Sequence, residues 1–134
     1  MTAPAPAFGI YIHWPFCQSK CPYCDFNSHV AEHIDQAAWR AAYLAELDHY
    51  ASETDQRTVT SLFFGGGTPS LMPAATAAAI IDAVRNRWNM AENLEITAEA
   101  NPSSSDIATF QGLADAGVNR LSLGVQSFDD KALK

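Results

Sequence analysis

Residues 17–24 have the sequence CQSKCPYC, and Cys17, Cys21 and Cys24 within it are the only cysteines of the chain. They are spaced C-x3-C-x2-C and directly follow an apolar run at residues 9–14 that is typical of a buried strand. Three thiols cannot form a set of intramolecular disulfides, because one is always left over. Thiolates this close together suit a metal, and three of them leave a tetrahedral metal one ligand short.

Three interpretations of this loop are open on the residues alone. In the first, the thiols are small buried apolar groups, which the neighbouring Lys20 and two prolines disfavour. In the second, His29 completes a zinc site in the pattern C-x3-C-x2-C-x4-H. In the third, the cysteines hold three irons of an iron–sulfur cluster and leave one iron open to a small chelating molecule. The third is favoured, because the loop follows a strand of a predicted parallel sheet and not a small standalone module.

Composition limits the classes of function. The chain has 134 residues, 48% of them hydrophobic and 17% charged, which suits one globular domain or a large part of one. Eight basic residues that never cluster and a net charge of −7 give nucleic-acid binding little electrostatic support. The sequence contains no run of 18 apolar residues, so it predicts no membrane span. Residues 1–8 are predicted to be a flexible leader without the features of a signal peptide, and reduced thiols then predict a cytoplasmic location.

Short apolar runs alternate with longer segments of helical periodicity along the rest of the chain. Caps, glycines and prolines mark where these segments begin and end. The predicted elements are a helix capped by Asp35, a polar turn at 52–58, a strand at 59–64 stopped by three glycines, a helix from Pro73 to about Trp88, a strand at 94–100, a helix capped by Ser105 or Asp106 and ended by Gly117, a strand at 121–125, and a helix beginning at Asp129-Asp130.

This alternation predicts an α/β fold with parallel strands joined by right-handed crossovers. An open doubly wound sheet and a barrel both satisfy the pattern. The chain holds about four βα units, which are too few to close a barrel, and it stops inside the predicted fourth helix. We therefore expect residues 9–134 to be the N-terminal part of a larger core domain, truncated at its C-terminal end.

Unusual residues follow all four predicted strands. Sites in parallel architectures form at the C-terminal ends of strands, so these residues are expected to converge on one edge. The first strand leads into the cysteines and the second into a run of three glycines. The third strand carries Glu99 and Asn101, and the fourth leads to Gln126 and Ser127.

Each of these residues also has an ordinary structural explanation. Residues 65–70, GGGTPS, could end a strand as a turn, yet three glycines also leave main-chain groups open to a ligand. The run matches neither the dinucleotide fingerprint nor a P-loop. Glu99 in a core strand is costly unless it is paired or faces a polar site, which favours ligand contact over a surface glutamate. His13 is expected to face away from Tyr11, and a structural role suits it as well as a functional one.

In combination, these motifs resemble the radical S-adenosylmethionine (SAM) superfamily. The resemblance rests on the cysteine spacing with Tyr23 before the last cysteine, and on the string GGGTPS. The strings YIHWPFC at 11–17, TAEANP at 97–102 and LGVQSF at 123–128 are similar to the family of oxygen-independent coproporphyrinogen III oxidase and the HemW-type haem chaperones. The resemblance extends from about Gly9 to the end of the chain, and it implies a partial (β/α) barrel.

The resemblance assigns roles to particular residues. It makes Cys17, Cys21 and Cys24 ligands of a [4Fe-4S] cluster whose fourth iron is chelated by SAM. It implies that Tyr11, Gly66 and Glu99 contact that SAM. It also implies that a reducing electron donor supplies the cluster with electrons. The positions of Tyr23, Gly67, Thr68 and Gln126 match residues that lie near a second SAM in the oxidase. The implied chemistry is one-electron reduction of the sulfonium, which yields methionine and a 5′-deoxyadenosyl radical.

One departure from the oxidase pattern discriminates within the family. The oxidase has a further cysteine two residues after the third, where this chain has Phe26 in the string CDFNS. That string resembles the HemW branch, whose members bind haem and deliver it to acceptor proteins. The expected function is therefore a haem chaperone, with haem as bound cargo. Radical decarboxylation of coproporphyrinogen III to protoporphyrinogen IX is the alternative, which leaves open whether the protein is an enzyme. A zinc-stabilised binding domain is the third possibility.

Overall fold

The computed structural model describes residues 3–104 and 106–134. Ser105, one of the two candidate caps of the third predicted helix, therefore lies outside the described residues. Strands and helices alternate as the periodicity predicts. Their bounds are β1 Phe8–Trp14, β2 Phe16–Cys17, β3 His29–Val30, α1 Gln36–Thr54, β4 Thr58–Gly66, α2 Ala74–Arg87, β5 Asn89–Ala100, α3 Ile107–Ala116 and β6 Arg120–Leu123.

Four strands form one parallel sheet in the order β1-β4-β5-β6. Buried side chains from all three helices pack in one core with alternate residues of the strands, among them Leu47 of α1, Ile80 of α2 and Leu113 of α3. The helices therefore cover one face of the sheet. A doubly wound sheet has helices on both faces, so this arrangement is that of a partial barrel, as predicted.

The opposite face of the sheet is open. Because side chains alternate along a strand, Ile12 and Trp14 enter the core while Tyr11 and His13 lie on the open face. The expectation that His13 faces away from Tyr11 is wrong, since the two residues are two apart in a strand and their side chains form a hydrogen bond of 3.0 Å. The same face carries Glu99 on the third strand of the sheet.

Helix termini follow the predicted caps. Asp35 accepts a hydrogen bond from Ala38 N at 2.9 Å, and Asp106 accepts one from Thr109 N at 2.7 Å. Gly117 ends α3 with φ of +118°, a left-handed conformation that glycine adopts without steric cost. No helix among residues 3–104 and 106–134 combines the length and the apolar character that a membrane crossing requires.

Several predicted boundaries are wrong for identifiable reasons. Residues 52–58 are not all a turn: α1 continues to Thr54, and the Ser52 and Thr54 hydroxyls donate to helix carbonyls at 2.6 Å, which satisfies these polar side chains within the helix. Strand β4 continues through Gly65 and Gly66, which pair with β1. Strand β5 begins at Asn89, five residues before its predicted start, because Asn89 and Met90 pair with Thr58 and Val59 at the start of β4 ahead of a register shift.

The predicted helix at Asp129-Asp130 is absent from the described residues. Residues 130–133 form turns instead, and β6 ends at Leu123, before the predicted limit of Val125. The Asp129 carboxylate accepts a hydrogen bond from Lys131 N at 2.9 Å, and the Ser127 hydroxyl accepts one from Asp129 N at 3.0 Å. Such local side-chain bonds compete with the helical pattern.

Candidate functional site

The cysteine loop is closed at its base by main-chain bonds. Strand β2 pairs in parallel with β3, so Cys17 lies opposite Val30. His29 N donates to the Pro15 carbonyl at 2.6 Å. Within the loop, Cys24 N donates to the Cys21 carbonyl at 3.1 Å. The loop is therefore a defined excursion from the end of β1, and not a loose linker.

The three thiols line one cavity of about 230 Å³ at the carboxyl edge of the sheet. Each cysteine is half-buried and none forms a disulfide. The Thr68 hydroxyl donates to Cys17 Sγ at 3.5 Å, which links the glycine stretch to the cysteine loop. Every predicted site residue except Tyr11 lines this cavity: Cys17, Cys21, Tyr23, Cys24, Gly66, Gly67, Thr68, Glu99 and Gln126.

The end of β4 fits against the cysteine loop because it carries no side chains. A Cβ at Gly67 would lie 2.6 Å from the carbonyl oxygen of Phe16, a distance that the backbone there does not allow. Gly67 N donates to the Trp14 carbonyl at 2.6 Å, and Thr68 N to the Phe16 carbonyl at 2.8 Å. Gly66 has φ of +110°. The glycines thus let main chain from β4 and the cysteine loop share one wall of the cavity.

The last two strands of the sheet supply the polar wall. Glu99 of β5 is half-buried and lies opposite Ser122 of β6 in the parallel register. Gln126 Nε2 donates to the Gly124 carbonyl at 3.0 Å, and both residues line the cavity. A carboxylate, a hydroxyl and an amide therefore face the thiols. This set can bind an amino acid moiety through hydrogen bonds and charge.

Tyr11 lies outside this cavity. It lines a separate groove of about 430 Å³ between β1 and α1, and its ring stacks on Phe63 at 6.2 Å between centroids. Partial burial raises the pKa of Tyr11, and the charge of Glu99 raises this pKa further. Tyr11 and Glu99 therefore share one electrostatic environment on the open face, although the cavity does not reach Tyr11.

Tyr23 is the most exposed of the large aromatic and aliphatic residues in the cavity wall. Its side chain is 69% exposed, and a hydrogen bond with the Cys21 side chain is the main cause that raises the pKa of Tyr23. Phe26, which stands where the oxidase pattern has a cysteine, is 59% exposed and also lines the cavity. The outer wall is therefore aromatic.

The zinc interpretation loses its proposed fourth ligand. His29 is exposed, its Nε2 bonds to Asn27 Oδ1 at 3.0 Å, and it does not line the cavity of the thiols. Across residues 3–104 and 106–134, no three His, Cys, Asp or Glu side chains are gathered closely enough to hold one metal ion. The thiols instead share a wider cavity with a glycine backbone on one side. This donor set fits a sulfide-bridged cluster with one open iron.

Sequence analysis missed several residues of the site, among them Ser122 and the main-chain carbonyl of Asn27. Ser122 lines the cavity opposite Glu99. The alternation of side chains along β6, together with its parallel pairing with β5, could have identified this residue. The main-chain carbonyl of Asn27 accepts a hydrogen bond from His13 Nε2 at 2.9 Å. No residue-type signal marks a carbonyl, so only the fold identifies that contact.

Comparison with known proteins agrees with this geometry. The profile of the Radical SAM superfamily matches residues 11–134. The haem chaperone HemW of Escherichia coli K12 is 42% identical over 130 residues, which are 96% of this chain and 34% of that protein. The mitochondrial radical S-adenosyl methionine domain-containing protein 1 of Bos taurus is 41% identical over 135 residues, 98% of this chain and 30% of that protein.

A solved structure shares the fold. Coproporphyrinogen III oxidase (HemN) from Escherichia coli, described as a radical SAM enzyme, superposes with a TM-score of 0.81 at 30% identity. The match covers 93% of this chain and 29% of that one. The chain thus spans about a third of the length of the relatives it matches. With the family profile covering nearly the whole sequence, the chain belongs to the radical SAM superfamily.

Proposed function

We propose that Cys17, Cys21 and Cys24 hold a [4Fe-4S] cluster and that SAM binds beside it in the cavity. The observation that carries this proposal is the convergence of the three thiols, the glycine backbone and Glu99 on one cavity. Cys17, Cys21 and Cys24 would hold the cluster, and the chemistry that it would supply is one-electron reduction of the SAM sulfonium. The residues of the chain bind and orient: the Glu99 carboxylate suits the SAM amino group, and the main chain at Gly66 admits the ligand closely.

The function that follows is a haem chaperone, which binds haem and delivers it to an acceptor protein. Two observations support this choice. Phe26 presents an apolar ring at the cavity where the oxidase pattern has another cysteine. The HemW chaperones of Escherichia coli and Haemophilus influenzae are 42% and 40% identical to this chain. Because the chain spans only about a third of them, haem as cargo is proposed for the whole protein.

Oxygen-independent coproporphyrinogen III oxidase is the second candidate. The fold of the oxidase from Escherichia coli supports it, with a TM-score of 0.81. In that case the protein is an oxidoreductase that decarboxylates porphyrinogen propionates, and Gln126 with Tyr23 would contact a second SAM. The first candidate is preferred, because the departure at Phe26 removes a residue of the oxidase pattern.

The domain bounds, the electron donor and the location are proposals as well. We propose that residues 8–134 belong to one radical SAM core domain, since β1 begins at Phe8, one residue before the predicted start, and that residues 1–7 precede it as a leader. A reducing electron donor is the partner that the cluster requires. A cytoplasmic location is proposed because cluster ligands must stay reduced thiols.

One pair of assays on the whole protein separates the two candidates. After anaerobic reconstitution, the protein is titrated with haem and is separately supplied with coproporphyrinogen III, SAM and a reductant. We expect stoichiometric haem binding and no protoporphyrinogen IX. Turnover of coproporphyrinogen III would overturn the chaperone proposal in favour of the oxidase.

A further inference from the structure

His13 joins two parts of the site that the cavity alone leaves apart. Its Nδ1 lies 3.0 Å from the Tyr11 hydroxyl, and its Nε2 lies 2.9 Å from the carbonyl oxygen of Asn27. Tyr11 is on the open face of β1, whereas Asn27 follows the last cysteine by three residues. The imidazole is thus a bridge between the sheet and the end of the cysteine loop.

The bonding partners fix the tautomer of the neutral ring. A carbonyl oxygen only accepts, so Nε2 carries the proton and donates it to Asn27. In the neutral imidazole Nδ1 is then an acceptor, and the Tyr11 hydroxyl donates to it. The order is therefore Tyr11 O–H to Nδ1, and Nε2–H to Asn27 O. Tyr11 keeps the lone pairs of its oxygen for another donor.

The ring has little freedom to leave this position. A Cβ at Gly66 would lie 2.8 Å from both Nδ1 and Cε1 of His13, so the imidazole lies directly over that glycine. The main chain of His13 is held as well, because the Tyr43 hydroxyl donates to its carbonyl at 2.7 Å. Asn27 is held in turn by His29, whose Nε2 bonds to Asn27 Oδ1 at 3.0 Å.

We propose that His13 is a positioning residue with two separable tasks: its Nε2–H anchors the end of the cysteine loop, and its Nδ1 orients the Tyr11 hydroxyl toward SAM. The second task rests on the proposed function, since it presumes that Tyr11 contacts SAM. The first concerns the geometry of Cys24 and therefore the assembly of the cluster.

Two amide substitutions divide the tasks. In His13→Gln the terminal amide reaches about as far as Nε2 and keeps the donor to Asn27, but it offers nothing at the place of Nδ1. In His13→Asn the shorter amide keeps an acceptor for Tyr11 and does not reach Asn27. Both variants are made in the whole protein and reconstituted anaerobically with iron and sulfide. Exposed His33 provides the matched control, His33→Gln.

We expect His13→Gln to assemble the wild-type amount of iron and to bind SAM roughly three- to tenfold more weakly, as for a lost neutral hydrogen bond. Tyr11→Phe should weaken SAM to the same degree, and the double variant should be no weaker than either single one. His13→Asn should retain less iron, while the clusters that it does hold keep the wild-type affinity for SAM. His33→Gln should match the wild type in both measurements.

The outcomes distinguish this inference from the proposed function. A wild-type protein that assembles no cluster, or whose cluster does not respond to SAM, would overturn the proposed function. A normal wild type with both His13 variants unaltered, or with both altered alike, would overturn the division of tasks. Nitrogen-15 NMR of the imidazole in the folded wild type tests the bridge without any variant: a proton on Nε2 supports it, and a proton on Nδ1 contradicts it.

Discussion

The two faces of the sheet are built from the same strands and differ in almost every physical property. On the helix-covered face, Phe64 is 2% exposed and packs in a continuous apolar core. Its neighbour Phe63 points to the open face, where it stacks on Tyr11. One face is closed by the chain itself, whereas the other carries aromatic, imidazole and carboxylate groups without a helix over them.

This difference separates stability from binding along each strand. The covered face excludes water and supplies most of the burial that folds the chain. The open face and the carboxyl edge hold the residues that the proposed function uses. Substitutions at two positions on the same face of a strand, two residues apart, should therefore alter the same property. Substitutions at adjacent positions should alter different ones, stability on the covered face and binding on the open face.

The largest effect is expected at the cysteine loop. Cys24→Ala removes one of the three proposed cluster ligands, so the variant should assemble no cluster. The free energy of unfolding of its apo form should lie within about 0.5 kcal/mol of that of the apo wild type, because the Cys24 side chain is half-buried and lies outside the core. Iron and sulfide analysis checks the first result and urea denaturation the second. Gln18→Ala, at an exposed loop position, is the control, and full iron content in Cys24→Ala would refute the ligand assignment.

A matched pair of phenylalanines tests the two faces directly. Phe64→Ala should lower the free energy of unfolding by about 3–5 kcal/mol, because it leaves a cavity in the core. Phe63→Ala should cost less than half as much, since Phe63 is only half-buried. Urea denaturation followed by circular dichroism measures both. Equal losses of unfolding free energy would mean that side chains on the open face are as well packed as those on the covered face.

Two glutamates of β5 sharpen the comparison on the open face alone. Glu99→Gln should raise the dissociation constant for SAM roughly 10- to 100-fold, as for a lost charged hydrogen bond, with the cluster intact. Glu95→Gln is the control, because Glu95 is exposed, four residues earlier, and paired with Arg120 at 3.5 Å. Isothermal titration of the reconstituted protein gives both constants. Unaltered affinity in Glu99→Gln would remove Glu99 from the site.

The smallest effect is expected at the N-terminal cap of α3, which does not line the cavity. The Thr109 N–H bond holds the pKa of Asp106 below its ordinary 3.8. A depressed pKa contributes stability that is complete above 3.8 and is lost as pH falls through the folded value. The difference in unfolding free energy between wild type and Asp106→Asn should therefore shrink on acidification. A difference that grows in acid would contradict the capping assignment.

The architecture was predictable because its signals are local. Alternating apolar periods mark β1 and α2, and Asp35 and Gly117 mark helix ends through bonds within a few residues. The early start of β5 was not predictable, because Asn89 and Met90 belong to the strand through their pairing with Thr58 and Val59. Strand membership there depends on a partner distant in sequence.

The site was predictable to a similar degree. Parallel strands bring their carboxyl ends together, so Glu99 and Gln126 could be expected near the cysteines before any coordinates. Tyr11 could not be placed by that rule, because it lies before the end of β1 and faces a separate groove. The orientation of His13 was open to correction from the sequence, since two residues two apart in a strand share a face.

The cavity of Cys17, Cys21 and Cys24 is proposed to hold a cluster whose open iron binds SAM. The most direct test is electron paramagnetic resonance of the reduced, reconstituted whole protein, recorded with and without SAM. We expect a [4Fe-4S] signal whose shape changes when SAM is added. A normal cluster signal that SAM leaves unchanged, or a protein that takes up zinc and no iron, would contradict it.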